Sequence, residues 1–287
     1  MNFGFIASKA QKSFASLDTC ARQRGHRVEH VPLGDIPLSY DSICNFVDTC
    51  RSKFDALHYY AGVADPIGFY FGKRCADMDI PLLNNRARIS GLIHNKLYQL
   101  LTFSAAGLPV PHSEFSGDPD WSNLSQKLNS PFIAKRARGT HGTHVYKITS
   151  QQDLDRITDP SSYLFQEFLP HTNDVRVLVL HGKAVCGYQR VPADGDFRAN
   201  LARGGYVKAL ADKAEQETVF PLAERAAAAV GLDLAGVDLI KNANDGYYLI
   251  EININPSWYG LSDVTDTQFE DVLLDEYEKM AVNRKNT

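Results

Sequence analysis

Two neighbouring β-patterned segments near the C-terminus, residues 236–240 and 249–254, constrain the fold more than any other part of the chain. Apolar and polar side chains alternate in both, and the turn-forming residues 243–246 (Ala-Asn-Asp-Gly) connect them. Successive strand side chains point to opposite faces, so Glu251 and Asn253 share one face, about 7 Å apart. If residues 243–246 form the loop, Asp238 lies directly opposite Glu251. The opposite, apolar face is predicted to contain Val237, Leu239, Ile250, Ile252 and Ile254.

The polar face of this predicted hairpin suits a hard divalent cation. Mg²⁺ prefers oxygen ligands and completes its coordination shell with water and phosphate. Asp238, Glu251 and Asn253 are therefore candidate magnesium ligands on a nucleotide-binding platform. The alternative is an ordinary strand pair with a solvent-facing polar side, and a phosphate site elsewhere in the chain would decide between the two.

Composition limits the classes of protein to consider. The chain has 287 residues, of which 44% are hydrophobic and 22% charged, as in ordinary globular proteins, and this length favours about two domains. A net charge of −4 gives no reason to expect nucleic acid or a membrane as a partner. No apolar run approaches the roughly 18 residues that span a bilayer. The five cysteines contain no C-x-x-C pair, so we expect reduced thiols in a cytoplasmic protein without a secretory signal.

Strand and helix patterns alternate over residues 1–90 and predict a small parallel α/β unit. No G-x-G-x-x-G motif follows the first strand, so the dinucleotide-binding fingerprint is absent there. A helix is predicted over residues 89–106, ended by Gly107. Later strands are predicted at 131–135, 144–148, 163–168, 174–180 and 183–190, and later helices at 151–157, 211–230 and 267–283.

The segment 131–148 has the character of a phosphate-binding hairpin. Lys135 ends its first strand, and Gly139, Thr140 and Gly142 belong to the glycine-containing tip. Lysine supplies a compact positive charge, and glycines let backbone N–H groups approach phosphate oxygens closely. Lys96 is a second candidate, although an isolated lysine on a helix is typically solvated. Taken alone, each feature also fits an ordinary hairpin or a surface charge.

The order of these elements along the chain is more specific than any one of them. From residue 84 to 256 the chain resembles the ATP-grasp superfamily, and within it the RimK-like carboxylate–amine ligases. The strings G-D-F-R-x-N-x-x-R-G-G (195–205) and E-x-N-x-N-P (251–256) carry most of the resemblance. The resemblance implies an α/β (α+β ATP-grasp) fold. Its expected divisions are an N-terminal parallel α/β domain over residues 1–90, a central lid subdomain over 91–170, and a C-terminal antiparallel-sheet subdomain with the metal site over 171–287.

The resemblance also implies a role for each matching residue. Lys96 and Lys135 correspond to phosphate-binding lysines, residues 166–169 to the hinge that holds adenine, and Asp174 to an acid near the ribose. Arg190, Arg198, Asn200 and Arg203 correspond to residues that contact transferring phosphate, the acyl phosphate or the substrate carboxylate. For Arg176 the alternative of a surface ion pair stays open. The hinge residues are Gln166, Glu167, Phe168 and Leu169, and the implied metal ligands are Asp238, Glu251 and Asn253.

Two departures from the family pattern concern the edges of the site. The hairpin tip reads R-G-T-H-G-T-H (138–144), where the family often has an acidic residue first and a third glycine at the end. After Asn255 and Pro256 the chain continues with Ser257, Trp258 and Tyr259 instead of small residues. The two aromatic residues either shape an acceptor pocket or pack in the core.

The resemblance implies ATP-dependent formation of an amide bond through an acyl phosphate, with ADP and phosphate as products. Expected cofactors are ATP and two Mg²⁺ ions, for which Mn²⁺ can substitute. Expected substrates are small molecules or peptides that carry a carboxylate and an amine, and a homo-oligomer is expected. An ATP-grasp phosphotransferase without ligation and a non-catalytic nucleotide-binding protein are the alternatives. Alanine at Asp238 or Glu251 is expected to abolish magnesium-dependent ADP release and to leave the fold largely intact.

Overall fold

The computed structural model describes residues 1–7, 12–32, 39–60, 66–85, 87–139, 144–195, 199, 204–242 and 246–285. Its strands and helices form three sheets with helices packed against them. The strands are β1 (Asn2–Ala7), β2 (Arg27–Pro32), β3 (Ala56–Tyr59), β4 (Leu82–Leu83), β5 (Ser113–Glu114), β6 (Phe132–Arg136), β7 (Val145–Ile148), β8 (Tyr163–Glu167), β9 (Asp174–Leu180), β10 (Lys183–Val191), β11 (Tyr206–Ala209), β12 (Leu234–Asn242) and β13 (Gly246–Asn253). The helices are α1 (Lys12–Gln23), α2 (Tyr40–Lys53), α3 (Pro66–Asp77), α4 (Lys96–Ala105), α5 (Trp121–Leu128), α6 (Gln151–Leu154), α7 (Lys213–Val230) and α8 (Phe269–Lys285).

The N-terminal sheet is parallel, with strand order β2-β1-β3-β4, as the alternation of strands and helices predicted. The two later sheets are antiparallel, with orders β5-β8-β6-β7 and β11-β10-β9-β12-β13. The mixed α/β fold class is therefore confirmed. Within the described residues, no helix is long and apolar enough to cross a membrane.

Helix α4 begins later than predicted. Residues 91–94 form turns, and the Asn95 side chain accepts hydrogen bonds from the N–H groups of Leu97 and Tyr98, which caps the helix at Lys96. On the same helix, Gln99 is buried and exchanges two hydrogen bonds, each 3.0 Å long, with the backbone of Ile252 on β13. Helix α4 is therefore tied to the strand that carries Glu251 and Asn253.

One face of the five-stranded sheet is apolar at one end of its strands and charged at the other. Leu178, Leu180 and Leu234 belong to an apolar core shared with the N-terminal sheet and with α8. Closer to the start of β9, the same face carries charged side chains, Asp174 and Arg176. The opposite face is mainly apolar and packs against α4 and α7. The fold thus places a row of buried charges beside a core that holds both ends of the chain together.

Candidate active site

The hairpin of β12 and β13 brings the three predicted metal ligands together. Asp238 pairs with Glu251 across the two strands, as the sequence predicted. Asn253 Nδ2 lies 3.3 Å from Asp238 Oδ2. Three oxygen-bearing side chains therefore converge on one patch of the sheet.

The register is reached by a different route from the predicted one. Asn242 pairs with Gly246, so three residues instead of four separate the paired positions. A β-bulge at Ile250 adds one residue to β13 and restores the pairing of Asp238 with Glu251. The bulge also corrects the predicted apolar face, because Leu249 is fully buried whereas Ile250 is only half-buried.

Two arginines from neighbouring strands hold Asp238 in place. Arg176 lies opposite Asp238 and donates from Nε and Nη2 to its two oxygens at 2.6 Å each. Arg190 donates from Nε and Nη2 to the two oxygens of Asp174 at 2.6 Å each, and Nη2 also lies 2.9 Å from Asp238 Oδ2. These four residues alternate in charge and are called the buried charge network below.

The network holds Asp238 as an anion. Burial alone would raise the pKa of Asp238, but the guanidinium groups of Arg176 and Arg190 outweigh burial and keep this pKa below its ordinary value. Removing one partner of a buried ion pair costs about 3–5 kcal/mol. Asp238→Ala is therefore expected to destabilise the protein, which corrects the sequence-based expectation of an intact fold. The Glu251 side chain is 29% exposed, so solvent screens its ion pair with Lys96, and we expect its removal to cost less than that of Asp238.

The two predicted phosphate-binding lysines lie beside the predicted metal ligands. Lys96 is only 7% exposed, so it is not the solvated charge that an isolated helical lysine suggests. Its Nζ lies 3.1 Å from Glu251 Oε1 and donates to the carbonyl of Gly139 at 2.7 Å. Lys135 is equally buried. Burial, and then the positive charge of Lys96, lower the pKa of Lys135 to about 7, while Glu251 acts in the opposite direction.

The predicted adenine hinge begins at the end of β8, and its first two residues are held by the strand beside it. Gln166 is buried, and its Nε2 donates to Ser113 Oγ at 2.8 Å. The carboxylate of Glu167 accepts from the backbone N–H of His112 at 2.7 Å, while the Glu167 N–H donates to the His112 carbonyl at 3.0 Å. The start of the predicted hinge is therefore fixed to the segment that leads into β5, in the sheet with order β5-β8-β6-β7.

The remaining predicted nucleotide contacts fall into two environments. Leu169 is buried, and the ring of Phe168 lies 4.1 Å from Lys147 Nζ, a cation–π distance. Asp174 is different, because it is 5% exposed and both of its carboxylate oxygens bind Arg190. The observed partner of Asp174 is thus Arg190, and the ribose contact of Asp174 stays a prediction.

Five predicted site residues lie outside the described residues, and their roles stay predictions. These residues are Thr140, Gly142, Arg198, Asn200 and Arg203.

The structure adds Arg176 to the site and divides the two aromatic residues after β13. Arg176 is buried and forms an ion pair with Asp238. The sequence around Arg176 did not reveal this partner, because Asp238 is distant in the chain. Trp258 is 1% exposed and packs in the core, with Phe5 and Phe269 among its ring contacts. Tyr259 is 54% exposed and stays available at the surface.

The residues present fit a magnesium nucleotide. Asp238, Glu251 and Asn253 offer oxygen donors, and among the described residues no cluster of three or more His, Cys, Asp or Glu side chains forms a metal site by itself. Phosphate and water would therefore complete the shell, as Mg²⁺ prefers. Three carboxylates here lie beside four basic side chains, and protonation of Lys135, whose pKa is about 7, gives an excess of positive charge that suits polyphosphate.

The fold and this site define an enzyme of the ATP-grasp class. Residues 94–276 match the RimK-like ATP-grasp domain, which is more than half of the chain. The chain belongs to the RimK-like ATP-grasp family.

Similar proteins agree with this assignment. A probable alpha-L-glutamate ligase of Sodalis glossinidius is 28% identical over 287 aligned residues, which cover 94% of each chain. A protein of the same description from Mannheimia succiniciproducens is 33% identical over 69% of this chain and 66% of its own.

Solved structures show the same fold. The ATP-grasp ligase PsnB, complexed with minimal precursor, Mg and ADP, has a TM-score of 0.74 at 20% identity, covering 97% of each chain. The D-alanine–D-alanine ligase of Bacillus anthracis has a TM-score of 0.73 at 15% identity, covering 100% of this chain and 99% of its own.

The chain is thus an ATP-dependent ligase that forms carbon–nitrogen bonds and uses ATP and Mg²⁺. The phosphotransferase alternative is not favoured, because the named relatives and structural neighbours are ligases.

Proposed function

We propose that this enzyme joins the amine of an amino acid, with glutamate as the first candidate, to the carboxylate of a small molecule or peptide. The observation that carries the proposal is the placement of Lys96 3.1 Å from Glu251, beside the Asp238–Glu251 pair. This placement puts a phosphate-binding charge next to oxygen ligands for a metal. Glutamate is suggested by the relatives described as probable alpha-L-glutamate ligases, which align with nearly the whole chain.

The chemistry divides into two steps. A carboxylate oxygen attacks the γ-phosphorus of ATP, the bond to the β-phosphate oxygen breaks, and an acyl phosphate and ADP form. The amine then attacks the acyl carbon, phosphate leaves with the bonding electrons, and the amine loses a proton to give the amide. Such a site must hold phosphate charge, align the reactants and exclude water.

Each group of residues has a proposed task in these steps. Lys96 and Lys135 hold the phosphates, and the hinge over residues 166–169 holds adenine. Arg190 stabilises the transferring phosphoryl group and the tetrahedral intermediate. The hairpin of β6 and β7, whose tip includes Gly139, acts as a lid that limits hydrolysis of the acyl phosphate. The predicted contacts of Arg198, Asn200 and Arg203 belong to the same steps.

Asp238, Glu251 and Asn253 would hold the metal. Bound there, magnesium supplies positive charge to the phosphates. We propose two Mg²⁺ ions per site, with Mn²⁺ as a functional substitute, because oxygen ligands accept both ions.

The proposal also includes a cytoplasmic location and a homo-oligomeric assembly. All five cysteines are free thiols, which supports a reducing, cytoplasmic compartment. A homo-oligomer, and the absence of nucleic-acid and membrane partners, stay predictions.

The test is phosphate release from ATP with a panel of amino acids, alone and paired with short peptides, followed by product mass. We expect ADP and phosphate in equal amounts, and a product whose mass equals the two substrates minus water. Release of AMP and pyrophosphate would contradict the acyl-phosphate route. A phosphorylated product without an amide would instead support phosphotransfer.

A further inference from the structure

Asp174 and Arg190 form the most complete side-chain pair in the buried charge network. They lie directly opposite each other on β9 and β10. Both nitrogens on one edge of the guanidinium, Nε and Nη2, donate to Asp174 at 2.6 Å. The two residues are 5% and 7% exposed.

This two-point contact fixes the plane of the Arg190 guanidinium. An arginine side chain has several rotatable bonds, and ordering it costs conformational entropy. A bidentate carboxylate selects one orientation and adds geometric specificity to the charge. Nη2 also reaches Asp238 at 2.9 Å, so Arg190 bridges Asp174 and a proposed metal ligand.

The pairing leaves one guanidinium nitrogen available for a reacting group. Within the part of the chain that the structure describes, the contacts of Arg190 use Nε and Nη2, and Nη1 has no partner. Arg176 differs, because it binds Asp238 with two nitrogens and also hydrogen-bonds Tyr188. Arg190 is therefore the arginine whose donor can be aimed at a substrate.

Stability alone does not explain a carboxylate at this position. A buried ion pair is often no more stabilising than an apolar pair of similar volume. Further along β9, the same face carries Leu178 and Leu180, which pack in the apolar core. An apolar residue would thus fit the local pattern, and the charge of Asp174 points to a task performed through its partner.

We propose that Asp174 is a positioning residue that acts through Arg190 and makes no contact with the nucleotide ribose. The inference rests on the proposed function, in which Arg190 faces the reacting phosphoryl and acyl groups. Asp174 holds the guanidinium so that Nη1 meets the charge that develops there.

The first experiment separates positioning from ribose binding by steady-state kinetics of Asp174→Asn. We expect kcat to fall about 100-fold, because small misplacements of a catalytic group cost this much. The KM for ATP should stay within about twofold of the wild-type value, and so should the preference for ATP over 2′-deoxyATP. A raised KM for ATP together with loss of this preference would show a ribose contact and overturn the inference. Asp275→Asn, which removes an exposed ion pair of the same 2.6 Å length with Arg24, is the matched control and should leave both constants unchanged.

The second experiment is a double-mutant cycle with Arg190→Gln. If Asp174 acts only through Arg190, adding Asp174→Asn to Arg190→Gln changes kcat by less than about threefold. Independent, multiplicative losses would overturn the inference. Full activity of Arg190→Gln would also overturn the positioning role of Asp174, but it would leave the proposed ligase function intact. Absence of ligation by the wild-type enzyme would contradict the proposed function itself. Thermal melting checks that each variant folds. If Asp174→Asn does not fold, Asp174→Glu replaces it. Because Asp174→Glu keeps the charge, its kcat should lie between the values of Asp174→Asn and the wild type.

Discussion

Lys135 gives a quantitative test of the nucleotide site, because its ionisation depends on what lies beside it. Desolvation, and then the charge of Lys96, lower its pKa to about 7 in the folded protein. A phosphate placed next to the ammonium group favours the charged form and returns the pKa towards its ordinary value. Nucleotide binding is therefore expected to take up a proton from solvent.

The size of this uptake follows from the pKa. At a pKa of about 7, roughly nine in ten molecules carry neutral Lys135 at pH 8, about half at pH 7 and roughly one in ten at pH 6. Binding of MgADP should thus take up about 0.9 proton at pH 8 and about 0.1 at pH 6.

Isothermal titration calorimetry in buffers of different ionisation enthalpy measures this number directly. MgADP is the suitable ligand, because its phosphates are ionised at pH 8. Lys135→Met keeps the length of the side chain and removes the titrating group, so its uptake at pH 8 should fall close to zero. No uptake by the wild type at pH 8, or equal uptake by Lys135→Met, would refute the assignment of Lys135 as a buried phosphate ligand.

The same pKa sets the pH dependence of stability without nucleotide. Lys135 titrates near 7 when folded and near 10.5 when unfolded, so the unfolded state binds more protons between these values. The contribution of Lys135 to the unfolding free energy therefore increases with pH across this window. In urea unfolding at pH 7 and 9, the unfolding free energy should increase with pH more in the wild type than in Lys135→Met.

Three further predictions test the predicted metal ligands and the surrounding core. Glu251→Ala should lose magnesium-dependent ADP release with a small decrease in melting temperature, whereas Asp238→Ala should lose activity with a larger decrease; retained turnover in both would remove the metal assignment. Burial lowers the pKa of His58 to about 3, so the unfolded state binds the extra proton between about pH 3 and 6.5. Stability should thus decrease as the pH is lowered from about 6.5 to 3, less steeply in His58→Phe, and equal slopes in urea unfolding would contradict this. In Gly236→Ala the new Cβ would lie 2.8 Å from Pro256 Cβ, so we expect a loss of about 1–3 kcal/mol in urea unfolding, against little change in Gly91→Ala, whose Cβ meets open space.

Regular elements were predictable where the apolar pattern is long. The alternation of strands and helices over the first 90 residues predicted the parallel sheet, and the polar alternation of β12 and β13 predicted their pairing. Strand β5 was missed because two residues carry too little periodicity, and β11 because its four residues are exposed or half-buried and show no alternation of apolar and polar side chains. Helix α5 was also missed, although Trp121, Leu124 and Leu128 follow a helical spacing behind the N-cap Asp120.

Helix starts depend on caps that the apolar pattern does not show. The apolar pattern of α4 extends back to Ile89, yet the helix begins at Lys96, where the Asn95 side chain satisfies the first N–H groups. This start matters for the site, because it sets the position of Lys96 beside Glu251.

The sequence by itself determined which residues are candidates for the chemistry. Local periodicity placed Asp238, Glu251 and Asn253 on one face of a hairpin, since side chains alternate along any strand. Only the tertiary structure decided the environment of these groups. The pairing of β9 with both β10 and β12 set Arg190 against Asp174 and Arg176 against Asp238, and enclosure beside Lys96 lowered the pKa of Lys135. Strand order and burial bring together residues that are distant in the chain, and the strength of a charge interaction depends on that distance and on the exclusion of water.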